Sequence, residues 1–220
     1  MAGESVWLRP RRQERQTLTL DRIVAEAVAL LDTEGEARLT MRRLAERLGT
    51  GSTTLYWHVK TKDDVLDLAL DAVFGEVPLP DGPSGLSEPG GWRARVSELA
   101  GAWRAAMLRH PWSTGLLDRP MMGPNALSRT EFLYATLAGA GFTGPDLAAA
   151  AFSLSMYVTG SATMQTRERD ATDAAMRDHL RARHAAYPTL AAHGLDHDWD
   201  ETFARGLGYL LDGMTTRSGR

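Results

Sequence analysis

The stretch LTMRRLAERLGTGSTTLYWHVKTKDDVL, residues 39–66, decides the fold because it contains the signals of two short helices separated by a tight turn. Thr40 is placed to cap the first helix, and Leu39 before it can pack on Leu44 one turn later. Gly49 follows the last apolar position of that helix, where a left-handed residue ends a helix and reverses the chain. The stretch therefore predicts a helix-turn-helix.

The second helix of this pair is predicted at about residues 51–58. Leu55 and Val59 are four residues apart and face inward on a helix. Hydrogen-bonding and stacking side chains then occupy the outer face and the ends: Ser52, Thr53, Thr54, Tyr56, Trp57 and His58. A short helix with such a surface, supported by another helix, is typical of one that enters a DNA groove.

These residues also carry a resemblance to a known family. LTMRRLAERLG followed by TLYWHVKTKDDVL is similar to the DNA-binding domain of the tetracycline-repressor (TetR) family, and the TLYWHVKxK run is the specific part. The resemblance is detailed over roughly the first third of the chain and extends beyond it only as an all-helical plan. It implies an all-α protein with an N-terminal three-helix helix-turn-helix DNA-binding domain and a C-terminal helical domain for ligand binding and dimerisation.

The resemblance further implies which side chains approach DNA. Arg42 on the supporting helix has the guanidinium fork that reads guanine or grips the backbone, and Lys62 would neutralise a phosphate. The implied contacts of the recognition helix are Ser52, Thr53, Thr54, Tyr56, Trp57 and His58. An alternative stays open for Trp57, because its bulk could pack on the supporting helices instead.

Charge is distributed unevenly along the chain. The net charge is −3, yet residues 1–62 carry 11 Lys and Arg against 8 Asp and Glu, while the remainder carries 14 against 20. The basic end is thus the end that holds the helix-turn-helix. Four arginines precede the first helix and form either an arm along DNA or a solvated terminus: Arg9, Arg11, Arg12 and Arg15.

Composition narrows the class of protein. The 220 residues include no cysteine, which excludes disulfides, thiolate metal sites and cysteine nucleophiles. We expect no run that approaches the ~20 apolar residues of a membrane span, and the first residues lack the apolar core of a signal peptide. The sequence therefore predicts a cytoplasmic protein with no membrane partner.

The competing class is an enzyme, and few features of the sequence support it. In LDHDWDE, residues 195–201, His197 stands among Asp196, Asp198 and Asp200 and imitates a metal site. Acids just before a helix are expected from the helix dipole alone. The sequence has no phosphate-binding glycine loop, no Gly-x-Ser-x-Gly elbow and no paired-histidine motif. We expect no catalytic residue, no metal and no cofactor.

Helical patterns continue on both sides of the motif. Thr19 is placed to cap a first helix that ends at Gly35, and Thr61 with Asp64 to open a fourth helix that leads away from DNA. We predict an arm and DNA-binding domain at 1–62, a connecting helix at 63–77, a Pro/Gly-rich loop at 78–91 and a helical domain at 92–220. Helices within that last domain are predicted at about 92–109, 124–140, 145–168, 171–187 and 199–216.

Two late helices are candidates for a dimer interface. The last helix carries an apolar stripe of Phe203, Leu207, Leu210 and Met214, and Gly206 and Gly213 allow close approach. Residues 148–164 are apolar nearly all round, so more than one side must be covered. The resemblance implies a four-helix interface between two subunits. The alternative is that both helices pack inside their own subunit.

Large apolar side chains with a few polar groups in the second domain suggest a pocket for a small apolar or aromatic molecule. The candidates are Trp103, Met107, His110, Trp112, Met121, Met122, Phe132, Phe152, Met156, Tyr157, Met164 and Gln165. The plain alternative is that these residues form ordinary core. The pocket itself rests mainly on the resemblance.

The pattern as a whole predicts a small-molecule-responsive transcriptional regulator. We expect a repressor that binds a palindromic DNA operator as a homodimer and is released by a ligand, with the signal carried by the fourth helix around residues 64–74. The alternatives are a ligand-independent DNA-binding protein and an activator, with an enzyme less favoured.

Overall fold

The computed structural model describes residues 18–80, 91–167, 170–193 and 198–215, and within these ranges it contains helices and no strand. The α-helices are α1 (Leu20–Glu34), α2 (Met41–Arg47), α3 (Ser52–Leu55), α4 (Lys62–Gly75), α5 (Gly91–Arg109), α6 (Pro124–Gly139), α7 (Gly144–Arg167), α8 (Asp170–Arg181), α9 (Pro188–His193) and α10 (Trp199–Thr215). Short 3₁₀ segments occupy Glu36–Arg38 and Pro111–Leu116. The all-α fold class is confirmed.

The N-terminal helices begin and end where local signals predict. The hydroxyls of Thr19 and Thr40 each accept a hydrogen bond from the backbone N–H three residues later, at 3.2 and 3.1 Å. These bonds satisfy donors that have no partner inside the helix. Gly49, just after α2, has φ +65°, which glycine adopts without strain. The chain can therefore reverse sharply between α2 and α3.

One core cluster is shared by the four helices α1, α2, α3 and α4. Leu44 and Leu48, which follow the inner face of α2, and Leu55 of α3 are buried with Ile23 and Leu30 of α1. Burial of each such leucine contributes about 1.5–3 kcal/mol. The helix-turn-helix is therefore held from behind by α1, while its outer side stays uncovered.

α4 belongs to two cores at once. Thr61 and Asp64 form a capping box at its start, in which each side chain accepts a hydrogen bond from the other's backbone N–H. Leu66 and Leu70 pack in the first cluster, whereas Val73 packs in a second cluster built from α5, α6, α7 and α10. A shift of α4 therefore changes the packing of both clusters.

The second cluster is centred on α7. Its inner face meets α10, where the Tyr157 ring stacks on Phe203 with centroids 5.4 Å apart and the Tyr157 hydroxyl donates to the Phe203 carbonyl oxygen at 2.9 Å. Gly206 lies against the same tyrosine, since a Cβ at this position would come within 2.1 Å of the Tyr157 hydroxyl oxygen. The close approach expected at Gly206 is present within the subunit.

Two departures from the predicted helices have local causes. The helix predicted over 171–187 ends at Arg181 as α8, and after a turn a short helix that was not predicted, α9, begins at Pro188. Helical backbone is disfavoured at the residue before a proline, and proline fits the first position of a helix, which explains why α9 begins at Pro188. The segment after α5, where no helix was predicted, forms a 3₁₀ helix opened by Pro111.

α7 also corrects the prediction about membrane spans. Gly144–Thr166 is long and apolar enough to cross a bilayer by length and composition, with a mean hydropathy of 1.2. Its apolar character comes from alanine together with leucine, phenylalanine, methionine and valine, while interspersed serine, threonine and glycine leave no long continuous apolar run. Only 28% of the most apolar window is buried in the subunit. The remaining face therefore requires some other cover.

Candidate DNA-binding surface and effector cleft

The recognition helix is shorter than predicted. α3 spans only Ser52–Leu55, and the chain continues through a tight turn in which Trp57 N–H bonds to the Thr54 carbonyl at 3.3 Å and His58 N–H to the Leu55 carbonyl at 3.0 Å. These three-residue spacings are those of 3₁₀ geometry. The predicted residues 51–58 thus form one compact helical unit whose regular part is its first half.

The outer side of this unit presents the predicted side chains to solvent. Thr53, Thr54, Tyr56, Trp57 and His58 are exposed, and Ser52 is half-buried. Trp57 has 79% of its surface accessible. Its side chain therefore does not pack on the supporting helices, and the second alternative weighed for this residue is contradicted.

The predicted cations are engaged with neighbouring groups. Arg42 pairs with Glu46 one turn along α2, at 2.9 Å, and its side chain is almost fully exposed. Lys62 lies across the start of α4, where its ammonium donates to the Glu36 carbonyl at 3.0 Å and is 3.4 Å from a Glu36 carboxylate oxygen. Exposed pairs of this kind contribute little and can be exchanged for a phosphate. The four arm arginines lie outside the described residues.

Sequence reasoning missed Lys60. Its ammonium donates to the Tyr56 backbone carbonyl at 3.0 Å, which places a cation at the end of the recognition unit. Within the described ranges Lys60 forms no salt bridge. A lysine directly after a recognition helix is the signal that could have identified it.

An apolar cleft lies where α4 faces α5 and the 3₁₀ segment. We call it the α4–α5 cleft, and it is lined by Leu70, Val73, Phe74, Val77, Trp103, Ala106, Met107, Ser113 and Leu117. The gaps between these side chains sum to about 200 Å³ and are everywhere too narrow to admit a water molecule. The Trp103 indole N–H and the Ser113 hydroxyl are buried and have no hydrogen-bond partner among the described residues. Uncompensated buried polar groups of this kind cost free energy.

The twelve predicted pocket residues separate into distinct places. Trp103 and Met107 line the α4–α5 cleft, whereas Met121 and Met122 line a shallow groove on the outer side of α4. His110 and Trp112 hydrogen-bond to Asp32 of α1. Phe132, under Arg95, and Tyr157, on Phe203, pack against the second cluster, and Gln165 accepts a hydrogen bond from Arg104.

Three of the predicted pocket residues do not face a pocket at all. Phe152, Met156 and Met164 lie on the outer face of α7, with 65%, 48% and 62% of their surfaces exposed. Because α7 is apolar nearly all round, helical spacing alone could not tell its inner face from its outer one.

The predicted dimer residues also need correction. Phe203 and Leu207 are buried in the core of their own subunit, at 7% and 5% exposure, because α10 turns this stripe toward α7. Leu210 and Met214 instead line a surface groove of about 420 Å³ between α7 and α10, beside the exposed Tyr209. The outer face of α7 and the edge of α10 are thus among the uncovered apolar surfaces of the described subunit.

The acidic cluster before α10 is only partly described. Asp196 and His197 lie outside the described residues. Asp198 caps α10, since its carboxylate accepts from the backbone N–H groups of Asp200 and Glu201 at 2.8 and 2.9 Å, and Asp200 pairs with Arg104 at 2.7 Å. Both described acids therefore have structural partners.

Comparison with known families decides which family this fold represents. Residues 84–218 match the family profile described as "Tetracyclin repressor-like, C-terminal domain", and residues 23–69 match "Bacterial regulatory proteins, tetR family". The chain belongs to the TetR family. It is a helix-turn-helix transcriptional regulator, as the motif predicts.

Relatives of this TetR-family regulator support the assignment along the whole chain. An HTH-type transcriptional regulator of Saccharopolyspora erythraea is 48% identical, covering 99% of this chain and 94% of the relative. The HTH-type transcriptional repressor DrrR1 of Streptomyces coeruleorubidus is 37% identical over 94% of this chain and 80% of its own length. The crystal structure of the TetR family protein ActR of Streptomyces coelicolor with (S)-DNPA has 33% identity and a TM-score of 0.81, covering 92% of this chain and 100% of ActR.

Proposed function

We propose that this TetR-family regulator is a homodimeric repressor that acts in the cytoplasm, binds a palindromic operator, and releases it when a small apolar or aromatic molecule enters the α4–α5 cleft. The observation that carries the proposal is the position of α4. Leu66 and Leu70 pack against the DNA-binding helices, while Val73 and Phe74 form one wall of the cleft. Opening the cleft therefore moves a helix that also supports the recognition helix.

The DNA side of the proposal rests on exposure and chemistry. Thr53, Thr54 and Tyr56 present hydroxyls that can bond phosphate oxygens, and Lys60 and Lys62 bring positive charge to the same side. Arg42 can exchange Glu46 for a guanine edge or a phosphate. In a dimer, two such surfaces must lie about 34–36 Å apart to enter successive major grooves.

The dimer is proposed from the uncovered face of α7. Phe152, Met156 and Met164 form an exposed apolar row on a helix that has small residues between them, which permits close packing of a second copy. The edge of α10 at Tyr209 continues this surface. This arrangement retains the two helices predicted from sequence but assigns the contact to their outward residues.

The cleft defines a class of effector. Its walls are apolar and aromatic, and its two unpartnered polar groups are a donor on Trp103 and a hydroxyl on Ser113. A planar, mainly apolar molecule with a carbonyl or hydroxyl oxygen would satisfy both. Because the cleft is narrow, such a molecule must separate α4 from α5. The crystal structure of ActR with (S)-DNPA shows that a similar fold accommodates a small molecule.

Release depends on the difference in ligand binding free energy between the released and the DNA-bound arrangement. Reversing a 1:99 equilibrium between released and DNA-bound arrangements needs a ligand preference of ~5.5 kcal/mol for the released one. Filling an apolar cleft and pairing two buried polar groups is of this order. A weaker preference gives partial release.

Selection of bound fragments from the source genome tests the proposal. We expect a palindromic site bound by two subunits, with affinity that falls steeply as salt rises. Lys60→Ala should lower the salt slope by about 1, and Asp178→Ala, far from α3 in the sequence, is its control.

Screening of planar aromatic compounds that carry a carbonyl or hydroxyl oxygen then tests release. A compound that raises the melting temperature and displaces the duplex supports the proposal, and Ser113→Ala with Trp103→Phe should weaken that response. A protein that binds no duplex at low salt, or that binds DNA as a monomer, contradicts it.

A further inference from the structure

His110 joins the two clusters through both nitrogens of one ring. The residue follows α5 and is 8% exposed. Its Nδ1 is 2.8 Å from Asp32 Oδ1 on α1, and its Nε2 is 3.1 Å from Glu76 Oε1 just after α4. Both ring nitrogens are donors only in the imidazolium form. A cation between the two carboxylates therefore fits this geometry, and we call the three residues the His110 bridge.

The carboxylates of the His110 bridge have further donors. The Trp112 indole N–H donates to Asp32 at 2.6 Å, and the Arg109 guanidinium donates to Glu76 at 2.8 Å. Partial burial raises the pKa of Glu76, but hydrogen bonds from Arg109 and His110 outweigh it and leave this pKa below the usual glutamate value. Glu76 is thus charged at neutral pH, and both the Arg109 guanidinium and the His110 ring face its carboxylate.

The His110 bridge is also attached to the wall of the α4–α5 cleft. The His110 carbonyl accepts from the Ser113 N–H at 2.9 Å, and the His110 N–H donates to the Ala106 carbonyl at 3.1 Å. Ala106, Met107 and Ser113 all line the cleft. A molecule that displaces this wall must therefore carry the imidazole with it, away from Asp32 or from Glu76.

We propose that His110 is the positioning residue that holds α1, and with it the helix-turn-helix, in the arrangement that binds DNA. Loss of its contact with Asp32 loosens the last turns of α1, which keep the Trp112–Asp32 bond and their core contacts, whereas loss of its contact with Glu76 leaves the link to α1 unchanged. The biological meaning rests on the proposed function, but the contact itself is a property of the subunit. It supplies a route from the cleft to the DNA-binding helices that does not pass along α4.

Two variants at the same position separate the two contacts. The amide nitrogen of asparagine lies near the place of Nδ1, and that of glutamine near the place of Nε2. His110→Asn therefore keeps a donor for Asp32, and His110→Gln keeps a donor only for Glu76. Arg205→Gln is the matched control, because it removes an exposed ion pair with Glu201 on α10, far along the chain from the His110 bridge.

Hydrogen–deuterium exchange of the full chain is the measurement. We expect amides in the last two turns of α1 to exchange about tenfold faster in His110→Gln, and at the unchanged rate in His110→Asn and Arg205→Gln. Equal exchange in the two His110 variants overturns the proposal. If circular dichroism shows that either variant is unfolded, Asp32→Asn decides, since it keeps an oxygen acceptor but removes the charge. Faster exchange of α1 supports the proposal, and unchanged exchange overturns it.

Binding of the genomically selected duplex gives a second readout. His110→Gln should bind about tenfold more weakly and His110→Asn nearly as well as the original chain. The reverse order overturns the proposal. If the original chain binds no duplex, the proposed function fails, while the exchange measurement still decides the role of His110.

Discussion

At the scale of single residues, substitution of Trp57 distinguishes a role in DNA binding from a role in stabilising the fold. Its side chain is almost entirely exposed on the outer side of the recognition unit. Trp57→Ala should change the unfolding free energy by less than about 0.5 kcal/mol, as surface substitutions do, yet weaken operator binding about tenfold. Urea unfolding and fluorescence anisotropy measure the two effects. Leu55→Ala is the contrast, since this buried residue should cost about 2–5 kcal/mol of stability.

Asp64 gives a residue-scale prediction with a defined pH dependence. The backbone N–H of Lys60 and the hydroxyl and N–H of Thr61 bond to its carboxylate and hold the pKa of Asp64 below the usual aspartate value. A depressed folded-state pKa contributes stability above the unfolded value of about 3.9, and that contribution is lost as pH falls through the folded-state pKa.

The stability difference between the original chain and Asp64→Asn should therefore be present near neutrality, begin to fall below about pH 4, and vanish only when the pH is below the folded-state pKa of Asp64. Urea midpoints measured along a pH series check this. Asp21→Asn, in the first turn of α1, is the control. A difference that stays constant into acid would show that Asp64 does not stabilise α4 through its charge.

At the scale of helices, Gly206 tests how closely α7 and α10 pack. A Cβ there would lie 2.1 Å from the Tyr157 hydroxyl oxygen and 2.8 Å from the ring carbon that carries it. The ring is held by its stacking on Phe203 and cannot move freely. Gly206→Ala should therefore destabilise the subunit by about 1–3 kcal/mol, the usual cost of overpacking.

Gly101→Ala in α5 is the matched control, because a Cβ there meets nothing within 4 Å. It should stabilise the chain by about 1 kcal/mol, since alanine is the better helix former. Thermal unfolding of the two variants at equal concentration compares them. Equal stability of the Gly206→Ala and Gly101→Ala variants would mean that α7 and α10 pack less closely than the contact between Gly206 and Tyr157 indicates.

At the scale of the whole molecule, the proposed dimer predicts different outcomes for a charge placed on the outer face of α7 and a charge placed in the core of the subunit. Met156→Glu places a charge on the outer face of α7 and should give folded monomers, since a buried unpaired charge in the interface is costly. Leu207→Glu places the charge inside the subunit and should unfold it. Sedimentation velocity and circular dichroism distinguish the outcomes, and a dimeric Met156→Glu protein would exclude this face.

The sequence by itself determined the helix-turn-helix, the position of its turn and the start of α4. Thr19, Thr40 and Thr61 cap helices through bonds to residues only three positions away, and Gly49 needs only its own backbone conformation. Such interactions involve residues within one helical turn of each other, so they can be recognised from the sequence alone. The family resemblance rests on this same local stretch.

Only the tertiary structure decided which apolar face is covered and which polar groups meet. Periodicity groups Phe203 with Leu207 and Phe152 with Met156, but it does not say that the first pair faces its own subunit and the second faces outward. His110 lies 78 positions from Asp32 and 34 from Glu76, so their contact exists only after α1, α4 and α5 have packed. The same packing leaves the Trp103 and Ser113 donors unpartnered in one cleft, because burial depends on all the neighbouring helices together.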